Sequence, residues 1–315
     1  MRLLFVLLPI HREKSIIFPM SNDNSSLKMT SELTPLKKAK KEKRKLPKPL
    51  SILFKITAAL LFSVVMGING QIIYDYSRYE KFYVNGESMY PTLNRNVTVT
   101  DKNGNVVTPS SLGDFAHSGW SYTCDYGLMD TDKTTLKNLS RFDIVVTYYG
   151  DDMVLDEASG TYSAKPTAAL KIKRIIGLPG EELYFDSNGD LHIADGSGEF
   201  PIVEQPFLTP QSDWSDELIE WTNKTKKQTA VNVKYGTESN HAKLGEGEYF
   251  VVGDNREYRA SNDSREEGAL SFRCFIGKAI AITAKCRYTV SSSSGEGTQS
   301  LLWNTIRMPW DIYYL

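Results

Sequence analysis

Apolar positions along this chain fall into two regimes. From Leu50 to Ile73 they run almost unbroken, through Ile52, Leu53, Phe54, Ile56, Leu60, Leu61, Phe62, Val64, Val65, Met66, Ile68 and Ile72. A membrane-spanning helix needs about 20 such residues, so the run predicts one span over residues 50–74. Beyond residue 80 the pattern shortens into clusters of Val, Ile, Tyr and Phe between Gly, Asn, Asp and Pro, as strands and turns require. The predicted strands are 82–86, 97–100, 143–149, 169–176, 182–186, 191–193, 248–252 and 276–284. Asn103-Gly104 and Asn188-Gly189 predict tight turns. Residues 108–140 and 196–245 are more polar and less periodic, and read as insertions on a β scaffold, the second as a small subdomain. Residues 291–297 read as a linker by composition. The tail 301–315 carries Trp303, Trp310, Tyr313 and Tyr314, and either packs on the domain or lies at a membrane interface. No internal repeat is visible.

Charge changes the picture at the amino-terminal end. The formal net charge is −1 over 315 residues, but residues 1–48 hold twelve Lys and Arg against four acids. Most of the excess is a run from Lys37 to Lys48, broken only by Glu42 among its charges. Such a run is a solvated tail or a nucleic-acid arm, and the apolar segment behind it decides for a membrane. Lys55 can carry its ammonium back to the headgroups, while Tyr74, Tyr76 and Tyr79 suit the far interface. Basic residues stay on the cytoplasmic side. The reading is a cytoplasmic tail over 1–49, one span of the plasma membrane, an extracytoplasmic domain over 75–290, and a tail over 291–315. The opening MRLLFVLLPI is too short to span and lacks a small-residue cleavage site.

Composition excludes several chemistries. Cys124, Cys274 and Cys286 are too few and scattered for a disulfide framework. His11, His117, His192 and His241 show no metal-ligand spacing, which argues against a metal enzyme and a histidine-based triad; no cofactor motif is present.

Four segments carry candidate chemistry. Gly86-Glu87-Ser88-Met89-Tyr90-Pro91-Thr92-Leu93 follows a predicted strand, and Pro91 constrains the turn. A serine there can be held exposed, although such segments are more often ordinary turns. Residues 141–146 read as a core strand entered by a charged turn. In Lys171-Ile172-Lys173-Arg174-Ile175-Ile176, closed by Gly177-Leu178-Pro179-Gly180, the two lysines share one strand face. Lysines on strands usually protect edges, but two on one face of an apolar strand make one a candidate for burial. Gly253-Asp254-Asn255-Arg256 and Ser261-Asn262-Asp263-Ser264-Arg265 are dense in pairing side chains, either a solvated loop or a brace for a site.

Together, in this order behind a basic and then apolar amino terminus, the four segments resemble the boxes of type I signal peptidases. The resemblance covers roughly residues 50–285. It implies a mostly β fold: an antiparallel β-sheet catalytic domain with a smaller inserted subdomain, preceded by one transmembrane helix. It implies a serine endopeptidase in which Ser88 attacks and Lys173 takes its proton, a variant of the histidine triad. It further implies that Ser261 orients the lysine, that Asp263 pairs with Arg265, and that Arg174, Asp254, Asn255 and Arg256 support them. Met89 and Ile172 would line substrate pockets that take small residues in an Ala-X-Ala pattern. The implied partners are signal peptides of exported preproteins, the lipid bilayer and the secretion machinery, with no nucleic acid.

The chemistry sets a condition. A free lysine titrates near 10.4 and cannot act as a base at neutrality; burial must bring it to roughly 7–8. Ile172, Ile175, Ile176 and Met89 are the expected apolar company of Lys173. Two departures from the family pattern matter. Glu257-Tyr258-Arg259-Ala260 lengthens the last loop and leaves Ser264 as a second candidate for orienting the lysine. Gly86 stands where many relatives have a serine, which leaves the Ser88 N–H as the expected oxyanion donor. Two other readings share these features: a non-cleaving assembly factor for secreted or pilus subunits, suggested by the insertions, and a self-cleaving repressor-type peptidase, disfavoured because a span replaces any DNA-binding motif.

Overall fold

The structure is a computed structural model that describes residues 47–107, 118–156, 161–291, 297–307 and 312–315. The opening apolar stretch and nearly all of the basic run lie outside the described residues. Helix α1 (Lys48–Arg78) is one uninterrupted helix, and Pro49–Asp75 within it is long and apolar enough to cross a membrane. Leu53, Phe54, Leu60 and Phe62 are all more than half exposed along it.

The strands that follow are β1 (Glu80–Tyr83), β2 (Val99–Thr100), β3 (Val106–Val107), β4 (Ser121–Asp130) and β5 (Ile144–Thr147). Next come β6 (Met153–Asp156), β7 (Thr161–Ala164), β8 (Lys171–Gly177), β9 (Glu182–Phe185), β10 (Leu191–Ile193) and β11 (Ile202–Val203). The last are β12 (Ala242–Lys243), β13 (Glu248–Val252), β14 (Leu270–Ser271), β15 (Phe275–Val290), β16 (Gly297–Leu301) and β17 (Tyr313–Tyr314). Short helices α2 (Lys133–Lys137), α3 (Asp216–Lys226) and α4 (Ser264–Glu267) sit between them. The main sheet runs β14-β13-β8-β5-β15-β4-β2-β3, with β1 on β4 and both β16 and β17 on β15. Its strand pairs are antiparallel, so the mostly β architecture expected from the sequence is the one found.

Its middle strands are buried on both faces. Ile144 and Val146 pack with Phe82, Val84, Met89 and Ile282 in one layer, while Val145, Ile175, Val251 and Phe275 form the other. The two-residue side-chain period explains the division.

Several boundaries differ from the sequence reading. Residues 108–140, read as an insertion, contain the ten-residue strand β4, which pairs along β15 from Asp130 to Ser121. Its Ser, Thr, Asp and Gly masked the strand signal, and burial comes from the long cross-strand partner. Strand β15 reaches Val290 rather than 284, because half-buried Lys285 and exposed Arg287 interrupt the apolar signal between buried Ala284, Cys286 and Tyr288. The inserted subdomain begins earlier than 196: β9 and β10, read as part of the scaffold, join β11 and β12 in a separate four-stranded sheet. Residues 292–296 of the predicted linker lie outside the described residues, and on either side of them Val290 and Gly297 are paired strand positions. The aromatic tail packs on the domain: Tyr313 and Tyr314 pair with Ile282 and Ala281, and Leu315 lies against the first apolar layer.

Candidate active site

Ser88 sits on a loop that the backbone ties into a tight turn. Tyr90 N donates to Glu87 O at 2.8 Å and Leu93 N to Met89 O at 2.9 Å. Gly86 has φ +99°, a conformation glycine adopts without steric cost. The loop is clamped from below by Asn94, whose own φ is +59°. Asn94 Nδ2 donates to Val84 O at 2.8 Å and Gly86 O at 2.9 Å, so one amide holds the segment entering the loop at two points. Its Oδ1 accepts from Asp125 N at 2.7 Å, and its backbone N donates to Asp125 Oδ2 at 2.6 Å. Asp125 in turn pairs with Lys285 at 2.6 Å. Above, Tyr90 meets Trp221 of α3 edge to face, with ring centroids 4.9 Å apart.

Lys173 comes from β8, which has β5 on one edge and β13 on the other. It lies opposite Val145, so it shares a face with Val145 and Ile175. Of the expected apolar company, Ile175 is on that face. Ile172 and Met89 pack in the other layer and Ile176 in the subdomain core, again because side chains alternate. Lys173 is only 3% exposed. Its Nζ donates to Ser88 Oγ at 2.9 Å and to Ile172 O at 3.0 Å. Burial brings the amine down to about 8, with Lys171 and Arg265 helping and Asp263 and Asp254 opposing.

The segment after β13 closes the site. Asn255 N donates to Ser88 O at 3.0 Å and its Nδ2 to Glu87 O at 3.3 Å. Gly253 lies so close that a Cβ there would collide with the Ser88 carbonyl oxygen and with Ser261 Oγ. Arg174 forks onto Asp254 at 2.8 and 2.6 Å and donates to Phe142 O at 2.7 Å, which joins the 141–146 segment to the loop. Asp263 takes both arms of Arg265 at 2.9 Å each and accepts from Gly253 N at 3.0 Å. Burial alone would raise the Asp263 carboxyl, but Arg265 and these bonds hold it below its usual value. A carboxylate engaged this way is a weak partner for Lys173.

The structure thus brings Ser88, Lys173, Arg174, Asp254, Asn255, Asp263 and Arg265 together. Arg256 stands apart from the ion pairs: it is 1% exposed, donates from Nη2 to Gln205 Oε1 at 2.9 Å, and leaves Nε and Nη1 without partners. Neither serine offered by the last loop bonds the lysine. Ser264 Oγ accepts from Val251 N at 3.0 Å, and Ser261 Oγ, buried beside Gly253, makes no hydrogen bond of good geometry, though it helps hold Asp263 low. Met89 is fully buried and Ile172 half-buried.

Sequence reasoning missed Asn94, Asp125, Trp221 and Glu87. Asn94 had one local signal, an asparagine just past a Pro-Thr-Leu turn, a residue type that tolerates positive φ. Its partner Asp125 lay in an unrecognised strand. Glu87 is pushed up to about 7 by burial, with Glu257 adding repulsion; that acid belongs to the lengthened loop.

None of the curated proteins matches this chain. Among solved structures, a signal peptidase I from Enterococcus faecalis is similar at 22% identity, over 45% of this chain and 96% of its own, with a TM-score of 0.26. The family model described as signal peptidase, peptidase S26, matches residues 54–284, a stretch that takes in Ser88, Lys173 and the whole closing loop. The chain belongs to the signal peptidase family, peptidase S26.

Proposed function

We propose that this chain is a membrane-anchored serine endopeptidase that removes signal peptides by a Ser88–Lys173 dyad. One observation carries the reading: a lysine amine, taken almost wholly out of water, stands 2.9 Å from the hydroxyl of the half-buried Ser88. An amine titrating near 8 is neutral in about a tenth of molecules at pH 7. In that form its lone pair accepts the Ser88 proton as Oγ attacks the scissile carbonyl. The resulting ammonium gives the proton to the leaving amine. The freed lysine then takes a proton from water, which attacks the acyl-enzyme ester, and passes it to Ser88 Oγ as the ester C–O bond breaks. The Ser88 N–H is the proposed donor to the oxyanion.

An extended substrate adds as a strand beside the site, with Met89 and Ile172 beneath pockets for small side chains, consistent with cleavage after Ala-X-Ala. Pro49–Asp75 anchors the chain in the plasma membrane. The basic run holds the amino terminus in the cytoplasm and the domain outside, where the secretion machinery delivers preproteins.

The test is cleavage of a preprotein bearing an Ala-X-Ala site by full-length protein in detergent. Ser88→Ala and Lys173→Ala should each lower the rate by about a thousandfold or more. Retained cleavage in both variants would sink the dyad. If Ser88→Ala protein complemented a deletion as well as wild type, a non-cleaving assembly role would replace this one.

A further inference from the structure

Cys124 and Cys286, 0% and 1% exposed, lie in one apolar cluster with Val99, Tyr122, Tyr288 and Val290. They are directly opposed across the antiparallel pair β4–β15, although scattered in sequence. Thr123 N turns away from β15 to Thr98 O, and Lys285 O turns away from β4 to Leu302 N. The cysteines between them therefore occupy a hydrogen-bonded register, with Cα atoms about 5.5 Å apart. A disulfide accepts Cα separations of about 4.4–6.8 Å, and in this register the Cβ atoms need to approach by about 1–2 Å. Cys274, the third thiol, belongs to the short turn before β15.

We propose that Cys124 and Cys286 are a disulfide-forming pair that can lock β4 to β15 when the domain meets a thiol oxidant. The co-reactant is a disulfide-bearing oxidant, either a small-molecule disulfide or a disulfide-exchange protein. One thiolate attacks the oxidant's S–S bond and expels a thiolate, leaving a mixed disulfide. The second cysteine attacks the protein sulfur of that mixed bond and expels the other thiolate. The two protein thiol protons end on the two released thiols, and the two electrons lost by the cysteines reduce the oxidant. Cys286 suits the first attack, because a hydrogen bond from Cys124 holds its thiol low, while the same bond and burial push Cys124 up. Burial limits access, so exchange proceeds while β15 docks on β4 or through brief opening of the pair. The bond would fix Asp125 and Lys285, the immediate neighbours of the two cysteines, and so the clamp beneath the Ser88 loop.

The test uses full-length reduced protein in detergent, incubated with oxidised glutathione for hours, in buffer and in mild urea that lets the sheet open. The protein is then denatured, alkylated and weighed, and its non-reduced digest mapped. The expected result, in either condition, is loss of two of three alkylatable thiols, a Cys124–Cys286 linked peptide, and recovery of all three thiols after reduction. In Cys286→Ala protein no intramolecular link should form. Three alkylatable thiols surviving in both conditions, or a link that uses Cys274 in place of either residue, would overturn the proposal.

Discussion

Replacing Asn94 by alanine tests whether the Ser88 loop is held from below. The change removes two hydrogen bonds donated to Val84 O and Gly86 O and one accepted from Asp125 N, all in a region only 5% exposed at residue 94. Each such bond contributes about 1 kcal/mol net, and each buried group left without a partner costs about 1–3 kcal/mol. The φ of +59° adds roughly 1 kcal/mol for alanine. The expected loss of stability is therefore about 3–5 kcal/mol. Asn94→Gly separates the terms, because it forfeits the same bonds without the backbone strain and should be about 1 kcal/mol less damaging. Thermal or urea unfolding of the full-length protein reads the stability. Peptide-cleavage kinetics below the unfolding temperature should show a fall in kcat larger than any rise in KM, because Asn94 touches the loop and not the proposed substrate strand. An Asn94→Ala protein within 1 kcal/mol of wild type, with unchanged kcat, would refute the reasoning.

The other predictions concern the buried charges. The folded Lys173 amine titrates near 8 against an ordinary value of 10.5, so the unfolded chain holds the extra proton between those values and stability rises with pH across that window. Below pH 8 the whole penalty of about 3 kcal/mol bears on the fold, so Lys173→Met should unfold at a higher temperature than wild type at pH 7 while losing cleavage; no gain in stability would count against the buried amine. Wild-type cleavage at low substrate should rise about tenfold per pH unit and level off near pH 8, and a flat profile from pH 6 to 9 would contradict the base assignment. Gly253→Ala should lose nearly all activity, because its Cβ meets the Ser88 carbonyl; a variant with half of wild-type turnover would show that the loop yields. Arg174→Met strands the buried Asp254 carboxylate and should cost about 3–5 kcal/mol, whereas Arg256→Met, which breaks no ion pair, should cost clearly less by the same unfolding assay.

Much of this was legible from sequence for physical reasons that can be named. Ser88 on its proline-stiffened turn and Lys173 on an apolar strand with a second lysine were no more than candidates by local pattern, and it was the resemblance carried by the four ordered segments that gave them roles. The subdomain border was misplaced because β9 and β10 look like any scaffold strands, and only their pairing with β11 and β12 assigns them elsewhere. β4 was invisible: Ser121, Thr123 and Asp125 read as loop, and the reason they lie in a strand is β15, some 150 residues later. The Asn94–Asp125 clamp and the Cys124–Cys286 pair failed for the same reason, since both depend on that pairing. Side-chain alternation was available in advance and still misapplied, as Ile172 cannot share a face with its neighbour Lys173 and so cannot be the apolar company of that amine.

The walls around the Lys173 amine come from distant stretches of chain: β5 and β13 flank its strand, and the Ser88 turn and Gly253 close over it. On the proposed reading this acts as a safety catch. While any of those stretches is still undocked, water reaches the amine, it keeps its proton, and the serine beside it is no more reactive than any other. A nascent or damaged copy is thereby chemically silent toward its neighbours in the membrane, with no propeptide or inhibitor required to keep it so.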